Sequence, residues 1–210
     1  MSRVFLFAGP SLYGLNRDLI SSSSVVLLPP AKRDDIRHLI EKESPGVIIL
    51  ADGNFHNVLA VSHVELRTAI NMGWDVWGCS SMGAIRACEM AQLGMKGYGQ
   101  VYQSFMDDPD FRDDEVALLH GPAPDYFPVS EPLVNIRFFL NQLVTKTRIS
   151  TDQSLQIIGY LSECWYGDRS LYALKQLLGN TEEMKHFDHY RIKNIDLQNM
   201  LLERPWQWTK

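Results

Sequence analysis

The chain has 210 residues, 45% apolar and 21% charged, with a formal net charge of −5. This is enough for one good core and a small second lobe, and the excess of acid excludes a globally basic surface of the kind that binds nucleic acid. No apolar run approaches the roughly 20 residues that cross a bilayer, so the chain reads as globular, with no membrane partner.

In chain order, strand and helix signals alternate through the first half. The start, "MSRVFLFAGP", reads as a first β-strand rather than a signal peptide, because its short apolar run leads directly into Gly9-Pro10. "VFLFAG" (4–9), "VVLLPP" (25–30), "VIILADG" (47–53) and "DVWGCS" (75–80) are continuous apolar runs, the pattern of strands covered on both faces. Between them, "AKRDDIRHLIEKE" places Ile36, Leu39 and Ile40 at helical spacing, and "NVLAVSHVELRTAINMG" predicts a helix stopped by Gly73. Strands separated by helices of this length predict a parallel sheet with right-handed crossovers.

"AIRACEMAQLG" predicts the next helix, and "GMKGYGQ", with Gly94, Gly97 and Gly99, a loop. An acidic loop then leads to an expected strand over 115–119, and "SEPLVNIRFFLNQLV" predicts a helix capped by Ser130 with Pro132 in its first turn. From Ile149 onward only helix patterns remain. The expected architecture is α/β, a parallel-sheet core flanked by helices over residues 1–148, with a helical C-terminal region, 149–210, packed on it. Cys79, Cys88 and Cys164 are odd in number and lack CxxC spacing, which predicts a reduced, cytoplasmic setting.

Chemistry concentrates at "GCSSMGA" (78–84), where the fourth strand turns into a helix. Ligands bind where parallel strands end, because helix N-termini present unpaired N–H groups and partial positive charge. Ser81 is flanked by Cys79 and Gly83, a small-x-Ser-x-Gly pattern that fits a nucleophile on a sharp turn better than Ser80 does. The N–H groups near Met82 and Gly83 would then stabilise an oxyanion. The alternative is that either serine only caps the helix, worth about 1 kcal/mol.

A serine nucleophile needs a base. His120 follows the expected strand over 115–119 and reaches for the same rim. Lys32 follows Pro29-Pro30 at the end of the second strand. A lysine in water, with a pKa of about 10.4, is almost wholly protonated at neutral pH, so a basic lysine needs desolvation or a neighbouring cation. His56 and His63, seven apart, are too far along a helix to share one metal, and no other cluster has ligand spacing. No metal or cofactor is expected.

"AGPSL" (8–12), "PPAKRDD" (29–35), "ADGNF" (51–55), "SMGAIRACEM" (81–90), "GMKGYG" (94–99), "DDEVALLHGP" (113–122) and "SEPLVNIR" (130–137) occur in the order found in the TfuA-like family, which the chain resembles over roughly residues 4–140. The resemblance implies a partner of a YcaO-type, ATP-dependent cyclodehydratase-like enzyme in peptide backbone thioamidation. It implies sulfur delivery by hydrolysis of a ThiS-like thiocarboxylated carrier protein at a Ser–Lys site. Carried onto this chain, the serine is Ser81 and the lysine Lys32, with Lys96 in the glycine loop as competitor. The family more often has Gly where this chain has Asp34. Asp52 would orient the lysine or a water, or serve only its turn, and Gly9, Ser11 and Lys96 would line the cleft. Arg86 and Glu89 are spaced to pair with each other. The competing readings are a non-catalytic adaptor that docks carrier and substrate to the YcaO enzyme, and a general hydrolase of small esters. Trp165, Trp206 and Trp208 offer aromatic anchors for a partner. The final peptide is a natural-product precursor or a housekeeping protein.

Overall fold

A computed structural model describes residues 3–21, 24–54, 58–179 and 181–208. His56, Phe55 of "ADGNF" and the last two residues of "RPWQWTK" lie outside the described residues. Strands β1 (Val4–Phe7), β2 (Val25–Leu28), β3 (Val47–Leu50), β4 (Asp75–Gly78) and β5 (Lys96–Gly97) form one parallel sheet in the order β2-β1-β3-β4-β5.

The apolar runs are continuous because the sheet is covered on both sides. Phe5, Phe7, Ile48, Leu50 and Val76 face helices α1 (Asp35–Lys42), α2 (His63–Asn71) and α3 (Met82–Glu89). Their neighbours Val4, Leu6, Val47, Ile49 and Trp77 face α8 (Ile192–Glu203), which contributes Leu197, Met200 and Leu201. A separate helical core joins α5 (Leu133–Thr145), α6 (Thr151–Glu163) and α7 (Leu171–Leu178) through Phe139, Leu140, Ile157, Leu161 and Leu174. The fold is thus α/β, with helices at its C-terminal end. Among the described residues no helix is long and apolar enough to cross a membrane.

Several elements differ from the sequence expectation. Helix α2 starts only at His63, because Ser62 and Glu65 form a reciprocal capping box that fixes its first turn. The "GMKGYG" stretch is not all loop: Lys96 and Gly97 pair with Trp77 and Gly78 as β5. The Tyr102 ring covers Gly97 so closely that a Cβ there would sit 2.1 Å from it. Residues Asp113–Val116 form a 3-10 turn instead of the start of a sheet strand. Helix α4 (Gln100–Asp107) has no local N-cap side chain; the Asp196 carboxylate of α8 accepts from the N–H groups of Gln100 and Val101 at 2.9 Å each. Burial raises that carboxyl to about 6 despite the two bonds. Ser130 does not cap α5. Its hydroxyl accepts from the Leu119 N–H at 2.8 Å, and Pro132 occupies the N-cap position.

Candidate active site

The strand order reverses direction between β1 and β3, the point at which open α/β sheets bind ligands. Asp52, just past β3, spans that point. Its Oδ2 accepts from the N–H groups of Gly9 and Ser11, and its Oδ1 from the Ser11 hydroxyl, all at 2.8 Å. Asn194 of α8 donates to the carbonyls of Ser11 and Tyr13, tying the same turn to the opposite helical layer.

The adjacent strand end carries the serines. Ser80 has φ +64°, and the Ser81 N–H donates to the Cys79 carbonyl at 2.7 Å, so the chain reverses around Ser80 in a single-residue turn. The strained position is therefore Ser80, whose hydroxyl is fully buried against the Cys79 sulfur at 3.4 Å. Burial pushes the Cys79 thiol well up, leaving it an inert neighbour. Ser81 stands at the N-cap of α3, yet its side chain makes no capping hydrogen bond. The cap alternative is thereby set aside for Ser81.

Sequence reasoning grouped Met82 and Gly83 as oxyanion donors, and the structure separates them. The Gly83 N–H donates to the Ala51 carbonyl at 3.2 Å, so it is not available as a donor. Gly83 serves close packing: a Cβ there would fall 1.6 Å from the Leu50 carbonyl oxygen. The Met82 N–H, the first of α3, has no acceptor among the described residues.

Ser81 opens into a cleft of about 310 Å³ whose lining also includes Asp52, Gly53, Asn54, His120 and Tyr166. One wall is the segment Val116–His120. His120 Nδ1 lies 2.7 Å from the Gly121 carbonyl, an acceptor, so in the neutral ring Nδ1 carries the proton and Nε2 is the basic nitrogen. The ring packs edge-on against Tyr126 at 5.5 Å.

Three cations, two of them buried, hold this wall and the turn before it. Lys193 of α8 is fully buried and donates to the Val116 carbonyl at 2.8 Å. Arg169, with no exposed surface, donates to the Asp114 carboxylate and carbonyl and to the carbonyls of Leu161, Ser162 and Cys164. Arg137 grips Glu115 through two bonds, at 2.7 and 2.9 Å. Burial lowers the Lys193 ammonium to about 8, and the fields of Asp52 and Glu131 oppose that fall.

Of the predicted residues, Ser81, Asp52 and His120 come together in the cleft. Gly9 and Ser11 stand behind its floor as donors to Asp52, while the intervening Pro10 lines it. Lys32 does not join them; its side chain is exposed, outside the cleft lining, and its N–H donates to Asp35 at 3.0 Å. Asp34 does take the left-handed conformation that Gly favours, with φ +75°, which Asp tolerates. Lys96 lies elsewhere too. It pairs with Asp75 at 2.8 Å, at the start of β4, and sits over the Trp77 ring. Arg86 and Glu89 do pair, and His63 joins them at 2.8 Å. Trp165 and Trp208 are exposed, whereas Trp206 packs against the sheet core beside α8.

The sequence reading missed Tyr166, the Val116–Leu119 wall and Lys193. Only Lys193 carried a signal: it falls on the buried stripe with Leu197, Met200 and Leu201, where a lone lysine is out of place.

A family model described as TfuA-like protein matches residues 52–170, more than half of the chain and inclusive of Asp52, Ser81, His120 and Tyr166. A search among curated proteins finds no match. The chain belongs to the TfuA-like family, whose membership is consistent with a YcaO-associated role in thioamidation.

Proposed function

We propose that this chain supplies sulfur for peptide thioamidation by hydrolysing the C-terminal thiocarboxylate of a ThiS-like carrier and releasing sulfide to a YcaO enzyme. One observation supports this reading above the others: a serine hydroxyl that makes no capping bond, at a helix N-terminus, opens into a strand-end cleft that also holds a histidine whose Nδ1 is engaged by a backbone carbonyl.

In this mechanism Ser81 Oγ bonds to the thiocarboxylate carbon and its proton passes to the base. The C–S bond breaks as the base hands that proton to the departing sulfur, hydrosulfide leaves, and the carrier remains as an ester on Ser81. Water then attacks the ester, the base takes its proton and passes it to the leaving Ser81 Oγ, and the carrier carboxylate is released with Ser81 and base restored. A thiocarboxylate is an anion and resists attack, so the partial positive charge of the α3 N-terminus and the Met82 N–H favour the developing oxyanion, at about 3 kcal/mol per donor. For the base, His120 replaces Lys32, because His120 lines the cleft.

The adaptor reading draws on a different observation. Tyr160, Trp165 and Tyr172 on and around α6 and α7 are 60%, 56% and 73% exposed, a set of aromatic side chains suited to a protein partner. Sulfide release from a thiocarboxylated carrier separates the two. Hydrolysis predicts turnover by the wild-type chain alone and a loss of about a thousandfold in Ser81→Ala. Carrier binding with no sulfide release, or unchanged release by Ser81→Ala, contradicts it.

A further inference from the structure

Past the 3-10 turn, the 117–120 stretch of the cleft wall runs extended into a single β-bridge, with one side occupied and the other open. Gly121 N–H donates to the Phe127 carbonyl and Val129 N–H to the Leu119 carbonyl, both at 2.8 Å, so His120 sits opposite Pro128 in an antiparallel bridge. Leu119 N–H is taken by the Ser130 hydroxyl. Ala117 is extended, with φ −74° and ψ 142°. Because N–H and C=O groups alternate sides along an extended chain, those of Leu118 and His120 point away from the 127–130 arm. Among the described residues they have no hydrogen-bond partner.

We infer that this edge binds an extended peptide C-terminus by strand addition, and that the same contact carries the tail's last carbonyl to Ser81. The inference rests on the hydrolase reading for the identity of the occupant, a protein carrier tail, but its geometry stands on the open edge. Leu118 and His120 are two residues apart, roughly 6.6 Å, the spacing at which an extended peptide presents successive hydrogen-bonding pairs. The 116–120 segment and Ser81 line one cleft, and its volume of about 310 Å³ accepts the end of a chain rather than a folded element. Strand addition reads backbone, so the site tolerates varied side chains and discriminates by extension and by a free end. His120 would then serve twice, its main chain placing the tail and its ring taking the Ser81 proton.

The test is a backbone scan. A fluorescein-labelled seven-residue peptide ending in Gly-Gly carboxylate is N-methylated at each position in turn, and its affinity for the full chain is read by fluorescence polarisation. We expect about tenfold weaker binding at alternate positions and little change between them. Losses at consecutive positions, a uniform response, or no binding by the unmodified peptide overturn the inference. Leu118→Pro, which deletes one edge N–H at a site preceded by an extended residue, should weaken the unmodified peptide about tenfold at an unchanged melting temperature. Unaltered affinity in that variant also overturns it. No step of this assay requires turnover, so failure of the hydrolase reading, seen as sulfide release independent of Ser81, is a separate result.

Discussion

The Asp52 carboxylate holds the Ser11 hydroxyl at 2.8 Å across the point where the sheet changes direction, and with its other oxygen gathers the N–H groups of Gly9 and Ser11. One side chain thus closes the turn after β1 against the end of β3, and the cleft floor is built on that closure. All of these groups are buried, so removing the carboxylate strands two N–H groups and a hydroxyl without acceptors. Asp52→Ala should destabilise the fold by roughly 3 kcal/mol, from the cost of buried groups left unpaired. Urea unfolding monitored by tryptophan fluorescence measures it; a change under about 0.5 kcal/mol contradicts this role.

Lys193 gives the protein a signature in alkaline solution. Its folded value of about 8 lies below its ordinary 10.5, with burial the cause. Below pH 8 both states carry the proton, and the fold bears the full cost of the buried cation. Between about pH 8 and 10.5 the unfolded chain binds more protons, so raising the pH through that window favours the fold. Relative to Lys193→Met, the wild-type stability should rise by about 3 kcal/mol across it. Denaturant unfolding of both proteins from pH 7 to 10 checks the sign. A difference that stays flat or falls contradicts it.

His120 is the base in the proposed chemistry, and its ring is aimed by the Gly121 carbonyl rather than by a carboxylate. His120→Ala should reduce sulfide release by about 10²- to 10⁴-fold with little change in melting temperature, the usual range for general-base removal. Added imidazole should restore part of the rate. Full activity in this variant would return the role to a lysine.

Legibility from sequence followed the range of the interactions. Strands β1 to β4 showed as apolar runs because burial on both faces leaves no polar alternation to confuse them. Helix α4 did not show, since the side chain that starts it, Asp196, lies 96 residues further along the chain than Gln100. The "DDEVALL" stretch has strand-like composition, but Arg169 and Arg137 claim its carboxylates and hold its first half in a 3-10 turn. The serine joint was readable to within one residue, because Gly78 and Gly83 advertise the close approach of α3 to the sheet. Which residue would carry the strain was not, because nothing in "GCSSMG" distinguishes a left-handed Ser80 from a left-handed Ser81. The lysines misled for a related reason. Lys32 lies near a strand end in sequence, but its backbone bonds to Asp35 and its side chain points to solvent.

The central claim is that the Ser81 hydroxyl forms the covalent bond to the tail carbonyl. Its most direct measurement is peptide mapping by mass spectrometry after brief reaction of the wild-type chain with a thioester of a Gly-Gly-ended peptide, stopped with acid to hold the ester. The account predicts an acyl group on the tryptic fragment spanning Ser81, localised to that residue and absent from Ser81→Ala. Acylation at Ser80, Cys79 or Cys88, or an adduct that persists without Ser81, would contradict it.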